Sequence, residues 1–160
     1  MSDSDEDPPA ATTDGGAYDG SDDAFRRVWT NRVRMAETDR QAIVYYGEYV
    51  TYQDEAVSAY RRELGFDAEY VRGTDWSTRM VATEMEYHES ARYEDVLVNE
   101  VRVARIGETS VTYEYRVRRE DDDRLLAKGS VTQVIVDEET AEPTPVPDAF
   151  RDAVADRQSP

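Results

Sequence analysis

Cysteine is absent from this 160-residue chain, lysine occurs once, at Lys128, and histidine once, at His88. Without cysteine there is no disulfide framework, no thiolate nucleophile and no sulfur-ligated zinc. A lone histidine without a second histidine at ligand spacing does not make a metal site. No Gly-x-Ser-x-Gly elbow is present, so a serine triad is not expected either. The chain thus calls for no metal and no cofactor. Apolar runs long enough to span a bilayer are also missing, as is a basic-then-apolar leader. With the missing cysteines, these absences lead to the expectation of a soluble cytoplasmic protein with no membrane partner. Basic charge is scarce: 19 Lys and Arg against 36 Asp and Glu leave a net charge of -17. A surface that tracks phosphates needs a basic excess, so nucleic acid is excluded as a partner. An acidic surface that uses arginine almost to the exclusion of lysine has the composition of proteins that work in concentrated salt, where screening relieves self-repulsion.

What is present is arranged in order. Residues 1–24 hold eight acidic residues and no basic one, with Pro8, Pro9 and several glycines. Such a segment has too little apolar area to offset ordering entropy, and a disordered acidic tail is expected there, followed by a single domain over 25–160. Phe25 to Met35 reads as a strand with Trp29, Val33 and Met35 on one face. From about Gly47 to Leu64, Tyr49, Tyr52, Ala56, Tyr60 and Leu64 recur at helical spacing, with Val50 and Val57 alongside, and Gly65 supplies a left-handed stop. After a loop over 66–75, four strands are expected: Trp76 to His88, Asp95 to Ile106, Thr109 to Arg119 and Arg124 to Val136. The last three are joined as hairpins at Gly107-Glu108 and Asp121-Asp122-Asp123. Pro143, Pro145 and Pro147 end the sheet before a short helix over Asp148 to Asp156. Strands clustered in sequence around one embedded helix imply an α+β fold, an antiparallel sheet of about five strands covering one long helix. The edges of such a sheet need cover, which makes edge-to-edge dimerisation plausible.

The stretch "RVRMAETDRQAIVYYGEYVTYQDEA" resembles the hot-dog-fold acyl-CoA thioesterases, in the branch that includes 4-hydroxybenzoyl-CoA thioesterase. Its pattern is strand, Thr-Asp, small-residue turn, Val and two aromatics, then helix. "EMEYHESARYEDVLVNEVRVARIGETSVTYEY" is similar to the family's second signature, and "LLAKGSVTQVIVD" with "PVPDAFRDAV" to its last strand and closing helix. Two positions depart from the pattern: Ala42 stands where the turn usually has glycine, and Ser90 where many relatives have proline.

The resemblance implies a hot-dog domain that hydrolyses an acyl-CoA thioester to a free acid and coenzyme A, as a homodimer or homotetramer. It assigns Asp39 as nucleophile or general base and the backbone amide of Tyr46, at the helix start, as the donor to the thioester carbonyl. Both carboxylate routes are chemically sound, and helix-start amides suit a developing oxyanion. By the same resemblance Gly47 allows close approach beside that donor. Tyr49 belongs to the aromatic cluster expected along the acyl chamber, and Arg92 and Arg105 are candidates for the coenzyme phosphates, arginine's fork being suited to them. From the residues alone, Asp39 is also a good turn former, Asp54 lies off the apolar stripe, and His88 reads as a turn or rim residue. A non-catalytic acyl-binding or assembly role is the alternative that Ala42 motivates.

Overall fold

The computed structural model describes residues 24–159. The acidic tail expected over 1–24 therefore lies outside the described residues except for Ala24, which is buried. Five strands, β1 (Arg26–Arg32), β2 (Trp76–Tyr87), β3 (Val96–Ile106), β4 (Ser110–Arg119) and β5 (Leu125–Asp137), form one sheet in the order β1-β3-β4-β5-β2. All four pairings are antiparallel, and β3-β4 and β4-β5 are the two hairpins expected. The long helix α1 (Glu48–Glu63) packs against β1, β3 and β4, and its buried stripe is Tyr49, Tyr52, Gln53, Ala56, Val57, Ala59 and Tyr60.

The alternation in β4 explains how the sheet covers that helix. Val111, Tyr113, Tyr115 and Val117 are buried, while Thr112, Glu114, Arg116 and Arg118 face the other side. Helix α1 stops where expected. Gly65 takes φ 87, its N–H donates to the Arg62 carbonyl, and the Phe66 N–H reaches back to Arg61, a paired closure that satisfies two orphan carbonyls. The closing helix α3 (Asp148–Gln158) buries Phe150 and Val154. Gln158 donates to the Val103 carbonyl and accepts from the Val103 N–H, completing β3 beyond the last residue paired with β1.

Three expectations need correction. Strand β1 ends at Arg32, not Met35, and Met35 lies in a 3₁₀ turn (Met35–Glu37) at 63 % exposure. The Glu37 carboxylate accepts the Arg34 backbone N–H at 2.8 Å, which turns the chain out of the sheet. The loop over 66–75 contains a short helix, α2 (Ala68–Arg72), started by Asp67, whose side chain accepts the Tyr70 N–H at 2.8 Å. Val50 is 40 % exposed, and Gln53 is the buried neighbour of Tyr49 one turn on. Its amide oxygen accepts from the Thr83 hydroxyl. No helix among the described residues is long and apolar enough to cross a membrane.

Candidate active site

Between β1 and α1 the chain makes a tight reversal that carries Asp39. The Asp39 N–H donates to the Ile43 carbonyl and the Ala42 N–H returns to the Asp39 carbonyl, at 2.9 and 3.0 Å. One carboxylate oxygen, Oδ1, accepts the Gln41 N–H at 2.7 Å, so the side chain is oriented by its own turn while remaining exposed. Ala42 sits at φ 61. That is the left-handed conformation a glycine would take without strain, and the turn closes with alanine in it. The geometry that Ala42 put in question is therefore formed.

The reversal is tied down at both ends. Beneath it Glu37 is buried, its backbone carbonyl accepting the Tyr45 N–H at 2.9 Å. Burial first, then the Glu37 carboxylate, push the Tyr52 phenol well above its ordinary range, so it stays neutral. On the far side Val44 donates to the Ala91 carbonyl, and Ile43 bridges to Arg92. The Tyr49 hydroxyl accepts the Ala91 N–H at 3.1 Å, which fixes the loop after β2 over the start of α1.

At that start the backbone leaves donors unanswered. The N–H groups of Glu48, Tyr49 and Val50 pair with carbonyls three residues back, at 2.9, 3.3 and 3.3 Å. Among the described residues no acceptor faces the N–H of Tyr46 or of Gly47. These are the orphan donors of a helix N-terminus, where partial positive charge collects. Tyr46 and Asp39 line one cavity of about 300 Å³ with Gln41, Ile43, Tyr49 and Tyr87. A polarised carbonyl and an oxygen nucleophile or base are the two things such a cavity can serve.

The remaining sequence candidates divide. Tyr49 lines the cavity as a buried wall, its hydroxyl already engaged. Gly47 lies at the helix start, but the space a side chain would fill there is taken by the Tyr45 ring, 2.7 Å from the would-be Cβ. Its missing side chain thus makes room for Tyr45. Arg92 is exposed on the loop bridged to Ile43, next to the cavity. Arg105 is not brought to the cavity: it stands nine residues along β3 from Val96, about 30 Å at strand rise. Asp54 is exposed on α1, off its buried stripe. His88 borders the cavity, but its Nε2 pairs with Glu86 Oε1 at 3.1 Å, and Glu86 also contacts Lys128, on the sheet face away from α1. The residue that sequence reading missed is Tyr87. The signal was there, since Thr83, Met85 and Tyr87 share one face of β2 and Thr83 meets α1.

A larger depression, about 880 Å³, lies on that other sheet face, but its charges answer one another. Arg102 pairs with Glu114, Arg116 with Glu100, and both guanidinium groups stack on Phe25. The smaller cavity is the one lined by an exposed carboxylate and a helix-start residue with an unpaired amide.

Residues 33–154 match the family model described as the thioesterase-like superfamily. The chain belongs to that superfamily. It is 26 % identical over 107 residues to the acyl-CoA thioesterase YbgC of Haemophilus influenzae, a match spanning 66 % of this chain and 77 % of that one. Among solved structures, a 1,4-dihydroxy-2-naphthoyl-CoA thioesterase from Synechocystis superposes with a TM-score of 0.76 at 17 % identity, covering 82 % of this chain and 97 % of the other. A Staphylococcus aureus protein solved in complex with CoA gives a TM-score of 0.77 at 13 % identity, covering 82 % and 84 %. The five-stranded sheet around α1 is therefore the hot-dog fold of a thioester hydrolase.

Proposed function

We propose that this thioesterase-like protein hydrolyses acyl-CoA thioesters, with Asp39 as nucleophile or general base and the Tyr46 N–H polarising the carbonyl. The observation that carries the reading is that one cavity is lined both by Asp39, whose carboxylate is oriented by its own turn, and by Tyr46, whose backbone N–H no protein group among the described residues satisfies. A thioester carbonyl set against those amides gains stabilisation as its oxygen becomes negative, and a donor already in place costs no reorganisation. Asp39 either takes a proton from the attacking water or adds to the carbonyl to form a mixed anhydride that water then cleaves. In both routes the acid keeps the acyl group and the sulfur leaves with coenzyme A.

Strand β2 is a sheet edge twelve residues long with Met80, Val81 and Tyr87 exposed on it. We assign this edge to pairing between two copies, which covers the unpaired backbone groups and encloses the cavity beside Tyr87. We assign Arg92, exposed on the loop bridged to Ile43, to a coenzyme phosphate, and the acidic surface with no cysteine fits a salt-rich cytoplasm.

Thiol release from short, medium, long and aromatic acyl-CoAs in high salt tests the reading. Asp39→Asn should lower kcat on the best substrate by on the order of 10³-fold while leaving the melting temperature within about 2 °C, since Asp39 is exposed and asparagine keeps an acceptor for Gln41. Full activity in the variant, or no thiol release by the wild type, overturns it.

A further inference from the structure

The Tyr87 hydroxyl donates to the Tyr46 carbonyl at 3.0 Å, linking the end of β2 to the turn that starts α1. That carbonyl shares a peptide unit with the Gly47 N–H, and because the peptide is trans the two groups point in opposite directions. A hydrogen bond accepted at the oxygen draws density from the nitrogen, and the N–H becomes a stronger donor. Gly47 has φ -65 and ψ -24, so its N–H is aligned with those of the helix and leaves the N-terminus unpaired. The contact is held by more than one bond. The Tyr87 ring stands edge-on to Tyr46 at 6.4 Å and to Tyr49 at 5.5 Å, and Tyr49 is itself anchored to Ala91. Burial among these rings, then Tyr46, raises the Tyr87 phenol above its ordinary value, so the group stays a proton donor at neutral pH.

We propose that Tyr87 is a positioning residue for thioester hydrolysis: by holding the Tyr46 carbonyl it orients and polarises the Tyr46–Gly47 peptide, so that the Gly47 N–H joins the Tyr46 N–H on the oxyanion. This rests on the thioesterase reading above and adds a second donor and its support. The charge that Gly47 meets exists in the transition state and not in the bound thioester. Loss of the support is therefore read in kcat rather than in KM.

The test uses Tyr87→Phe, which keeps the ring stack and removes only the hydroxyl. It is expected to lower kcat about fivefold with KM changed by less than about twofold. In the ligand-free protein the Gly47 amide proton should move upfield in a ¹H–¹⁵N spectrum while the Gly65 amide stays in place. A kcat equal to that of an active wild type, or an unmoved Gly47 resonance, overturns the proposal. Should the wild type release no thiol from any acyl-CoA, the thioesterase reading fails instead, and the Gly47 shift still decides whether Tyr87 polarises the peptide. If Tyr87→Phe does not fold, 3-fluorotyrosine at position 87 keeps the hydroxyl and makes it more acidic. The Gly47 amide must then move downfield, and a stationary resonance overturns the proposal.

Discussion

The two faces of the sheet solve the same problem, the burial of polar groups, in opposite ways. On the face toward α1 the strands present tyrosines whose polarity is confined to one hydroxyl each. Tyr115 donates to Asn99 at 2.6 Å, Asn99 donates to Asn31 at 2.8 Å, and Tyr49 accepts from Ala91. On the other face arginines and glutamates lie in half-buried pairs, such as Arg102 with Glu114. Both surfaces are nearly saturated with partners. Gln53 Nε2 on the helix side and Arg105 Nε on β3 are buried without a hydrogen-bond partner, but it is at the start of α1 that backbone donors without acceptors lie in the same neighbourhood as an exposed carboxylate, Asp39. The difference teaches that the proposed site is set apart by unanswered backbone amides beside an exposed carboxylate rather than by cavity volume, since the larger depression is lined by paired charges.

The sharpest way to break the contrast is alkali. Burial holds the Tyr113 phenol up to about 12, and burial raises Tyr49 and Tyr115 as well. The folded state keeps these protons while the unfolded chain begins to lose them near pH 10, so stability is constant below that pH and falls as pH rises above it. For Tyr113 alone the loss amounts to about 2 kcal/mol by pH 12. Urea midpoints at pH 8, 10 and 11.5 should show the fall, and Tyr113→Phe should make it shallower. An unchanged slope in that variant contradicts the dry character of the helix-side face.

A smaller effect is expected at the turn. Ala42 at φ 61 bears strain that glycine does not, so Ala42→Gly should stabilise the fold by about 1 kcal/mol after the entropy lost to glycine, a rise of about 2 °C in melting temperature. Calorimetry checks it, and a fall in melting temperature would show that the alanine methyl is packed rather than merely tolerated. The smallest effect belongs to the outer face. Glu114→Gln removes one charge of a pair whose acid is 37 % exposed and should cost about 0.5 kcal/mol, with no change in thiol release. A drop in activity there would place the larger depression in the reaction after all.

Much of this was legible before any coordinates. Alternation in Val111 to Arg118 announced both faces of β4, the 49-52-56-60 spacing announced α1, and Gly65 announced its end, because these are local periodicities and local conformational preferences. The Thr38-Asp39 motif and the helix start seven residues on were readable as a resemblance. The failures have physical causes. Met35 was counted into β1 because alternation does not reveal that Glu37 will capture the Arg34 N–H, a bond that takes shape only as the chain turns. Gln53 was passed over because its polarity hid a position that geometry buries. Residue type alone makes Arg105 a phosphate candidate, whereas the length of β3 sets it far from the Asp39 cavity of its own chain.

What the sequence by itself determined is the set of elements, their order and the identity of the turn that carries Asp39, since these depend on residues near one another in the chain. The tertiary structure alone decided which of them meet. It set β2 beside β5 rather than β3, and so delivered Tyr87 to the carbonyl of Tyr46, 41 residues away. It set His88 at the border of the cavity with its Nε2 engaged by Glu86. Pairing partners across a sheet are selected by the packing of a whole layer against a helix, and no local run of residues encodes that choice.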